Sequence, residues 1–256
     1  MCKYVFNKER GGLLLELNKI HLGDCHKIIK QIPDKSIDLV YIDIPYLFEK
    51  GGSGSSGLAK RIKKVDNQLK KSQITSGIDY NIFEELQRVM KTTYIYIWCS
   101  KDQIPDIINY WCNIPDVNMN ILVWCKTNPI PSTNGNWLPD VEYCLVFKGK
   151  DTPKYNDGYN HKSKFYVSPI NIEDKKSYRH PTIKPLPFVK NHLLHSTKEA
   201  DIILDCYCGS GTTCVAAKEL KRQFIGIEIN EEYWKIANDR IKGIDASGQT
   251  SIFTFL

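Results

Sequence analysis

The sequence predicts an α/β fold built on a mostly parallel sheet, and three observations support this prediction. Short apolar segments of the kind that form buried strands alternate with amphipathic segments of helical period. Residues 20–43 have the order strand, helix, strand and end in the acidic residue Asp43. Residues 200–228 have the order strand, glycine turn, helix, strand and end in the acidic residue Glu228. Both units are typical of parallel sheets.

Composition limits the class of protein. The 256 residues suit one α/β domain with room for an insert, since 42% of them are hydrophobic and 25% are charged. No apolar segment approaches the ~20 residues of a membrane span, and the first residues are too polar for a signal peptide. The nine cysteines form no Cys-x-x-Cys pair, which favours reduced thiols and predicts a cytoplasmic protein. The net charge of +6 permits a polyanionic partner without requiring one.

The first half of the chain contains four predicted strands and three predicted helices. The strands are apolar segments bounded by turn residues, and they cover 20–22, 37–42, 94–99 and 119–125. The helices show apolar residues at helical spacing, and they cover 26–32, 80–91 and 104–111.

A carboxylate, a proline and an aromatic ring follow the second predicted strand, in the segment Asp43-Ile44-Pro45-Tyr46. Ligands of open α/β sheets bind at the carboxyl ends of strands, where this segment lies. Proline fixes its own backbone and favours an extended Ile44, so the Ile44 carbonyl and the Asp43 carboxylate form two acceptors beside the Tyr46 ring. This combination suits a planar ring that carries an amino group, although an acidic turn after a strand would use the same residues.

Two polar segments interrupt the alternation. Segment 47–78 starts with a glycine- and serine-rich tract that resembles a natural loop as much as an engineered linker, and basic residues follow it. Segment 149–178 mixes tyrosines with lysines, which suits contact with nucleic acid. A solvated helix face and a surface loop are the alternative interpretations. The candidate DNA contacts in and beside these segments are Lys60, Arg61, Lys63, Lys64, Tyr155, Lys162, Lys164 and Arg179.

The second half continues the α/β pattern. The predicted strands cover 142–147, 200–204 and 223–227, and the predicted helices cover 188–195, 214–220 and 230–241. His192 and His195 share one helix face, but two histidines without matching cysteines or carboxylates are too few for a metal site. We therefore predict no metal ligands.

A glycine turn joins the strand at 200–204 to the next helix. Gly209 and Gly211 allow the backbone to approach a ligand closely, and Glu228 follows Gly209 by 19 residues, at the tip of the next strand. A carboxylate at that position can accept hydrogen bonds from the hydroxyls of a ribose, so the segment predicts a nucleoside-type cofactor. Cys214 replaces the third glycine of the dinucleotide fingerprint, and no Gly-Lys-Ser/Thr sequence indicates a P-loop.

Three motifs resemble those of the β-type, circularly permuted DNA amino-methyltransferases that use S-adenosylmethionine. Asp205-Cys-Tyr-Cys-Gly-Ser-Gly-Thr-Thr213 resembles their cofactor loop, and Asp43-Ile-Pro-Tyr46 resembles their Asp-Pro-Pro-Tyr motif with Ile44 at the first proline. His180-Pro-Thr-Ile-Lys-Pro185 resembles the segment that precedes the cofactor loop. The three motifs have the order of the permuted members, with the catalytic motif first.

The resemblance implies a Rossmann-like methyltransferase fold, with a mostly parallel seven-stranded sheet and helices on both faces. The catalytic domain would comprise residues 1–148 and 179–256, with a flexible basic loop at 47–78 and a small target-recognition insert at 149–178. Asp43, Ile44, Pro45 and Tyr46 would hold the target base. The residues implied for S-adenosylmethionine binding are Asp24, Cys25, Thr182, Lys184, Asp205, Cys206, Gly209, Ser210, Gly211, Thr212, Thr213, Glu228 and Asn230.

Within this set the resemblance implies particular positions. Asp24 and Cys25 would lie at the adenine edge of the cofactor and Glu228 at its ribose, while Lys184 and the threonines of the loop would lie near its methionine end.

The implied reaction is methylation of the N6 amine of an adenine in DNA, after the base has been flipped out of the duplex. Cytosine N4 is the alternative amine, although Asp43 favours adenine because the N4 enzymes more often carry serine there. RNA as the substrate, a non-catalytic DNA-binding relative and an inactive subunit remain further alternatives. The resemblance leaves open a homodimer and a cognate restriction enzyme, and it does not give the recognition sequence.

Overall fold

The computed structural model describes residues 15–47, 77–129, 131, 137–155, 162–170, 172, 177–178, 182–245 and 248. Its strands are β1 (Lys19–Leu22), β2 (Leu39–Asp43), β3 (Tyr94–Cys99), β4 (Val117–Lys126), β5 (Val141–Gly149), β6 (Phe165–Ser168), β7 (Ile202–Asp205) and β8 (Gln223–Glu228). Its helices are α1 (Cys25–Ile28), α2 (Ile82–Val89), α3 (Ile104–Trp111), α4 (Leu186–Ser196), α5 (Thr212–Glu219) and α6 (Glu231–Lys242). Most of the predicted basic loop lies outside the described residues.

The strands form one sheet in the order β1-β8-β7-β2-β3-β5-β4-β6. All neighbours pair in parallel except at β5, which runs antiparallel to both β3 and β4. The carboxyl ends of β1, β8, β7 and β2 therefore meet at one edge of the sheet. Because β5 is reversed, its first residues, rather than its last, reach that same edge.

The predicted count of seven strands is wrong, since the described part of the chain contains eight. The seven predicted strands all form, and the additional one is β6, in which Phe165–Ser168 pairs with Val123–Lys126 of β4. This strand lies in the polar segment predicted as an insert, and its exposure alternates between exposed and half-buried residues. Four residues at the edge of a sheet bury too little apolar surface to give a clear sequence signal.

Helices cover both faces of the sheet, as predicted. On one face α1, α2 and α3 pack over a core that contains Phe83, Trp111 and Leu145. On the other face α4, α5 and α6 pack over a core that contains Trp98 and Phe188. The strand β3 is buried along its whole length, as expected for a central strand that is covered on both faces.

Aromatic side chains line the sheet beneath α4. The Tyr41 and Tyr96 rings stack with centroids 5.3 Å apart, and the His192 ring stacks on Tyr96 at 5.1 Å. Trp98 Nε1 donates to the Tyr41 hydroxyl at 2.9 Å, and the same hydroxyl lies 3.1 Å from His192 Nδ1. Burial is the main reason that the pKa of His192 falls to about 3.

Candidate active site

Four acidic residues lie at the ends of four adjacent parallel strands. Asp43 ends β2, Asp205 ends β7 and Glu228 ends β8, while Asp24 follows β1 by two residues. These strands are consecutive neighbours in the sheet, so the arrangement brings together the acids that the sequence predicts for the catalytic motif and the cofactor.

The carboxylate of Asp43 has one occupied and one unoccupied oxygen. Lys184 Nζ donates to Asp43 Oδ2 at 2.6 Å, while Oδ1 is buried and has no hydrogen-bond partner among the described residues. Burial raises the pKa of Asp43, and the charge of Lys184 opposes that rise only in part. Asp43 therefore keeps one acceptor for a donor that a ligand would bring.

The backbone after Asp43 supplies a second acceptor. Ile44 N donates to the Trp98 carbonyl at 3.2 Å, which continues the pairing of β2 with β3 beyond the strand end. The Pro45 carbonyl is occupied, since it accepts from Gln103 Nε2 at 3.0 Å. No described residue donates to the Ile44 carbonyl oxygen.

Lys184 lies against the catalytic motif, where its Nζ contacts Asp43. Its Nζ also donates to the Tyr46 hydroxyl at 3.1 Å and lies 3.0 Å from Glu142 Oε2. The ammonium group packs over the rings of Trp98 and Tyr46, at 4.9 and 5.3 Å from their centroids. Burial would lower the pKa of Lys184, but Asp43 and Glu142 outweigh it and raise that pKa above its usual value.

Glu142, near the start of β5, is a site residue that the sequence analysis missed. Its Oε2 accepts from the Tyr46 hydroxyl at 3.2 Å, and its Oε1 lies 2.8 Å from Lys126 Nζ. Burial would raise the pKa of Glu142, but the charges of Lys184 and Lys126 outweigh it and lower that pKa to about 2. The only sequence signal was a carboxylate at the start of an otherwise apolar strand.

The glycine turn precedes α5 and has the conformation that its residues predict. Gly211 has φ of +79°, and a Cβ there would lie 2.9 Å from the Ala237 Cβ, so no larger residue fits without a shift. Arg240, which is buried on α6, donates to the Ser210 carbonyl at 2.7 Å and to the Ser210 and Thr212 hydroxyls at 2.9 and 3.0 Å. Arg240 therefore binds the hydroxyls of Ser210 and Thr212, two of the residues predicted for the cofactor site.

Glu228 closes the turn from the neighbouring strand. Its Oε2 accepts from Gly209 N and its Oε1 from Asn230 N, both at 2.8 Å. Burial raises the pKa of Glu228, while those two amides oppose the rise. Each carboxylate oxygen keeps a lone pair for a further donor. The Asn230 side chain caps α6 by accepting from Glu232 N and Tyr233 N.

Asp205 is buried and has no cationic partner among the described residues. Its Oδ1 accepts from Tyr207 N at 3.1 Å, and the Thr213 side chain hydrogen-bonds the same carboxylate. Burial raises the pKa of Asp205 to about 7. A positively charged ligand beside this carboxylate would replace the missing cation.

The remaining predicted cofactor residues lie around the same edge. Asp24 Oδ1 caps α1 by accepting from His26 N at 2.9 Å. Cys25 and Cys206 are buried with free thiols, and Cys25 contacts the Tyr207 side chain. Thr182 is exposed and lies two residues before Lys184.

The predicted DNA contacts divide into three groups. Lys162 and Lys164 are exposed beside β6. The Tyr155 hydroxyl donates to Asp201 at 3.1 Å, just before β7 begins, which places Tyr155 at the edge of the sheet opposite Asp43. The other predicted contacts lie outside the described residues: Lys60, Arg61, Lys63, Lys64 and Arg179.

Two further findings concern the described residues alone. They contain no cluster of three or more histidine, cysteine, aspartate or glutamate side chains that could hold a metal ion. None of the helices that they form is long and apolar enough to span a membrane.

A glycine turn at the end of one parallel strand and an Asp-x-Pro-Tyr segment at the end of its neighbour define the class of Rossmann-like methyltransferases. The chain belongs to the DNA methylase family, whose model is named for N6 and N4 methyltransferases and matches residues 37–239. The family and the Rossmann-like fold predicted from the sequence are thereby confirmed.

Two relatives match most of the chain. The type II methyltransferase M2.LlaDCHI of Lactococcus lactis subsp. cremoris is 32% identical over 259 residues, which cover 94% of this chain and 93% of the relative. The type II methyltransferase M.HinfI of Haemophilus influenzae is 30% identical over 250 residues, which cover 89% of this chain and 69% of the relative.

Solved structures show the same architecture. The M1.HpyAVI–SAM complex matches with a TM-score of 0.62 at 25% identity, over 87% of this chain and 98% of that chain. The cytosine-N4-specific PvuII DNA methyltransferase matches with a TM-score of 0.64 over 86% of this chain and 85% of that chain. At 16% identity, the second match shows the fold alone.

Proposed function

We propose that the protein is a site-specific DNA methyltransferase that moves a methyl group from S-adenosylmethionine to the N6 amine of an adenine flipped out of the duplex. The carboxylate of Asp43 carries the proposal. Lys184 occupies one of its oxygens, while the other is buried without a donor among the described residues. A buried acceptor without a donor costs roughly 1–3 kcal/mol, so an amine that fills this position would be bound favourably.

The neighbouring strand ends fit S-adenosylmethionine. Asp205 is a buried acid that lacks a cation among the described residues, and the cofactor is positively charged. Glu228 retains lone pairs for ribose hydroxyls, and Gly209 and Gly211 remove side chains from the turn. When bound, S-adenosylmethionine supplies an activated methyl group on its sulfonium. The SAM complex of M1.HpyAVI supports this choice of cofactor.

The catalytic motif orients the amine. Asp43 Oδ1 and the Ile44 carbonyl can each accept one N–H, which favours a pyramidal nitrogen whose lone pair is no longer delocalised into the ring. As this nitrogen gains positive charge, its hydrogen bond to Asp43 strengthens and stabilises the transition state. The proton that the nitrogen then loses can pass to Asp43, because burial raises the pKa of that group.

Tyr46 would hold the flipped base by stacking. Its hydroxyl accepts from Lys184 at 3.1 Å and donates to Glu142 at 3.2 Å, and these two contacts fix the plane of the ring. A flipped base is generally held between aromatic or apolar side chains, and the face of Tyr46 beside Asp43 suits that contact.

We infer that DNA is the partner of the exposed basic residues. Lys162 and Lys164 lie beside β6 in the segment 149–178, which we propose as the target-recognition insert of a catalytic domain formed by 1–148 and 179–256. Phe165 in the same segment is 62% exposed and could stack on a base. We propose that the basic loop at 47–78 contributes further phosphate contacts.

Both relatives are named type II methyltransferases, which supports a cognate restriction enzyme as a partner in the same system. The M2 in the name of one relative supports association with a second subunit or a second copy of this chain. The eight described cysteines are free, which supports a reducing cytoplasm.

The proposal is tested by incubating the protein with labelled S-adenosylmethionine and DNA, and by digesting the product to nucleosides. We expect the label in N6-methyladenine and none in wild-type reactions that lack DNA. Label in N4-methylcytosine would move the substrate to cytosine, and no transfer to any DNA of varied sequence would refute the proposal. The same assay on a panel of duplexes would define the recognition sequence.

A further inference from the structure

The active-site lysine is held from two sides. Lys184 Nζ lies 2.6 Å from Asp43 Oδ2 and 3.0 Å from Glu142 Oε2, and its third oxygen partner is the Tyr46 hydroxyl at 3.1 Å. Glu142 also accepts from that hydroxyl at 3.2 Å. Glu142 therefore contacts both side chains that border the catalytic carboxylate, without contacting that carboxylate itself.

Charges alternate along this network. The order is Asp43, Lys184, Glu142, Lys126, with contacts of 2.6, 3.0 and 2.8 Å between successive groups. The two negative charges of the carboxylates therefore balance the two positive charges of the ammonium groups. Without Glu142, two ammonium groups would remain with one carboxylate, and Lys184 would be free to move fully onto Asp43.

Stability alone does not explain a buried ion pair, because apolar residues of similar volume often stabilise a fold as well or better. The side chains of Lys184 and Glu142 are only 9% and 18% exposed, so both charges lose most of their hydration. Their position against Asp43 and Tyr46 indicates a role in the geometry of the site.

We propose that Glu142 is a positioning residue for methyl transfer. It holds Lys184 in a position where the ammonium occupies only Oδ2 of Asp43, and it orients the Tyr46 ring through the hydroxyl. Asp43 Oδ1 then stays available for the target amine. This inference rests on the proposed function, because it assigns to Asp43 the contact with the amine.

The test compares Glu142→Gln with wild type in single-turnover methyl transfer. Glutamine keeps the shape of the side chain and removes its charge. Displacement of a reacting group by about 1 Å can cost about a hundredfold in rate, so we expect a fall of about tenfold to hundredfold. Cofactor affinity should change less than about twofold, since the residues at the ends of β7 and β8 are untouched.

A matched control removes another glutamate that is paired with a lysine. Glu219, at the carboxyl end of α5, pairs with Lys190 on α4, away from the glycine turn. Glu219→Gln should keep the wild-type rate. Glu142→Asp keeps the charge but is one methylene shorter, so it should fold and still lose rate. A folded Glu142→Gln or Glu142→Asp variant with the wild-type rate would overturn the proposal.

A second readout does not depend on activity. In lysine-labelled protein, the buried ammonium of Lys184 should exchange its protons slowly and give a nitrogen resonance that is absent in Lys184→Met. We expect this resonance to shift or broaden in Glu142→Gln and to persist in Glu219→Gln. An unchanged resonance in Glu142→Gln would refute the holding role. Absence of transfer by wild type would instead refute the proposed function, while the resonance would still test Glu142.

Discussion

Replacing Asp43 with alanine should abolish most methyl transfer and leave cofactor binding close to that of wild type. Lys184 would keep Glu142 at 3.0 Å and the Tyr46 hydroxyl at 3.1 Å, so the buried ammonium retains two oxygen partners and the fold should persist. The loss falls on the acceptor that faces the amine, whose hydrogen bond strengthens in the transition state. A group of this kind contributes about 3 kcal/mol, which is roughly a hundredfold in rate.

The assay is single-turnover transfer of a labelled methyl group, with calorimetric titration of the cofactor in parallel. Asp43→Asn should be impaired as well, because its amide is a weaker acceptor and can turn a donor toward the amine. Tyr46→Phe keeps the stacking face and should have a mild effect. An Asp43→Ala protein that methylated adenine at near the wild-type rate would refute the assignment of Asp43 to the amine.

Three further predictions concern the cofactor side of the site. Because the pKa of Asp205 is about 7, its carboxyl is largely neutral below pH 7, so affinity for the cationic cofactor should rise between pH 6 and 8. Calorimetric titration should show this rise in wild type and a much smaller one in Asp205→Asn. A wild-type affinity that does not change with pH would contradict the prediction. Gly211→Ala should lower the free energy of unfolding by about 2 kcal/mol, since alanine there would combine a positive φ with a Cβ contact of 2.9 Å. Denaturant titration measures this change, and an unchanged unfolding midpoint would exclude the strain. Arg240→Met removes the donors that hold Ser210, so we expect this variant to bind the cofactor about tenfold more weakly than wild type. Unchanged affinity in the variant would show that the glycine turn keeps its shape without Arg240.

The sequence was sufficient for the helices, for every strand except β6, and for the acids at the strand ends. Apolar segments bounded by turn residues were enough to predict seven strands, because buried strands such as β3 are apolar throughout and end at polar turns. Asp43 and Glu228 could be predicted because each follows its own strand directly. These features are local, so a single stretch of sequence contains them.

The charge network could not be predicted in the same way. Lys184 and Asp43 are 141 residues apart, and the strand order that brings Glu142 beside them depends on the reversal of β5. Neither the contact of Lys184 with Asp43 nor the reversal of β5 can be read from the spacing of residues within one short segment. Arg240 was missed for a related reason, since a basic residue on an amphipathic helix usually faces solvent, whereas here it is 6% exposed and supports the glycine turn from behind.

The burial of the His192 imidazole affects how well the fold tolerates acid. The folded protein keeps this imidazole unprotonated down to about pH 3, whereas the unfolded chain takes up a proton near pH 6.5. Between those values the unfolded state binds more protons, so His192 lowers the free energy of unfolding by about 1.4 kcal/mol for each pH unit of acidification. Asp205 acts in the opposite sense, because its raised pKa makes the folded state bind the additional proton between about pH 4 and 7. The two buried groups therefore offset each other, and mild acid should inhibit cofactor binding well before it unfolds the domain.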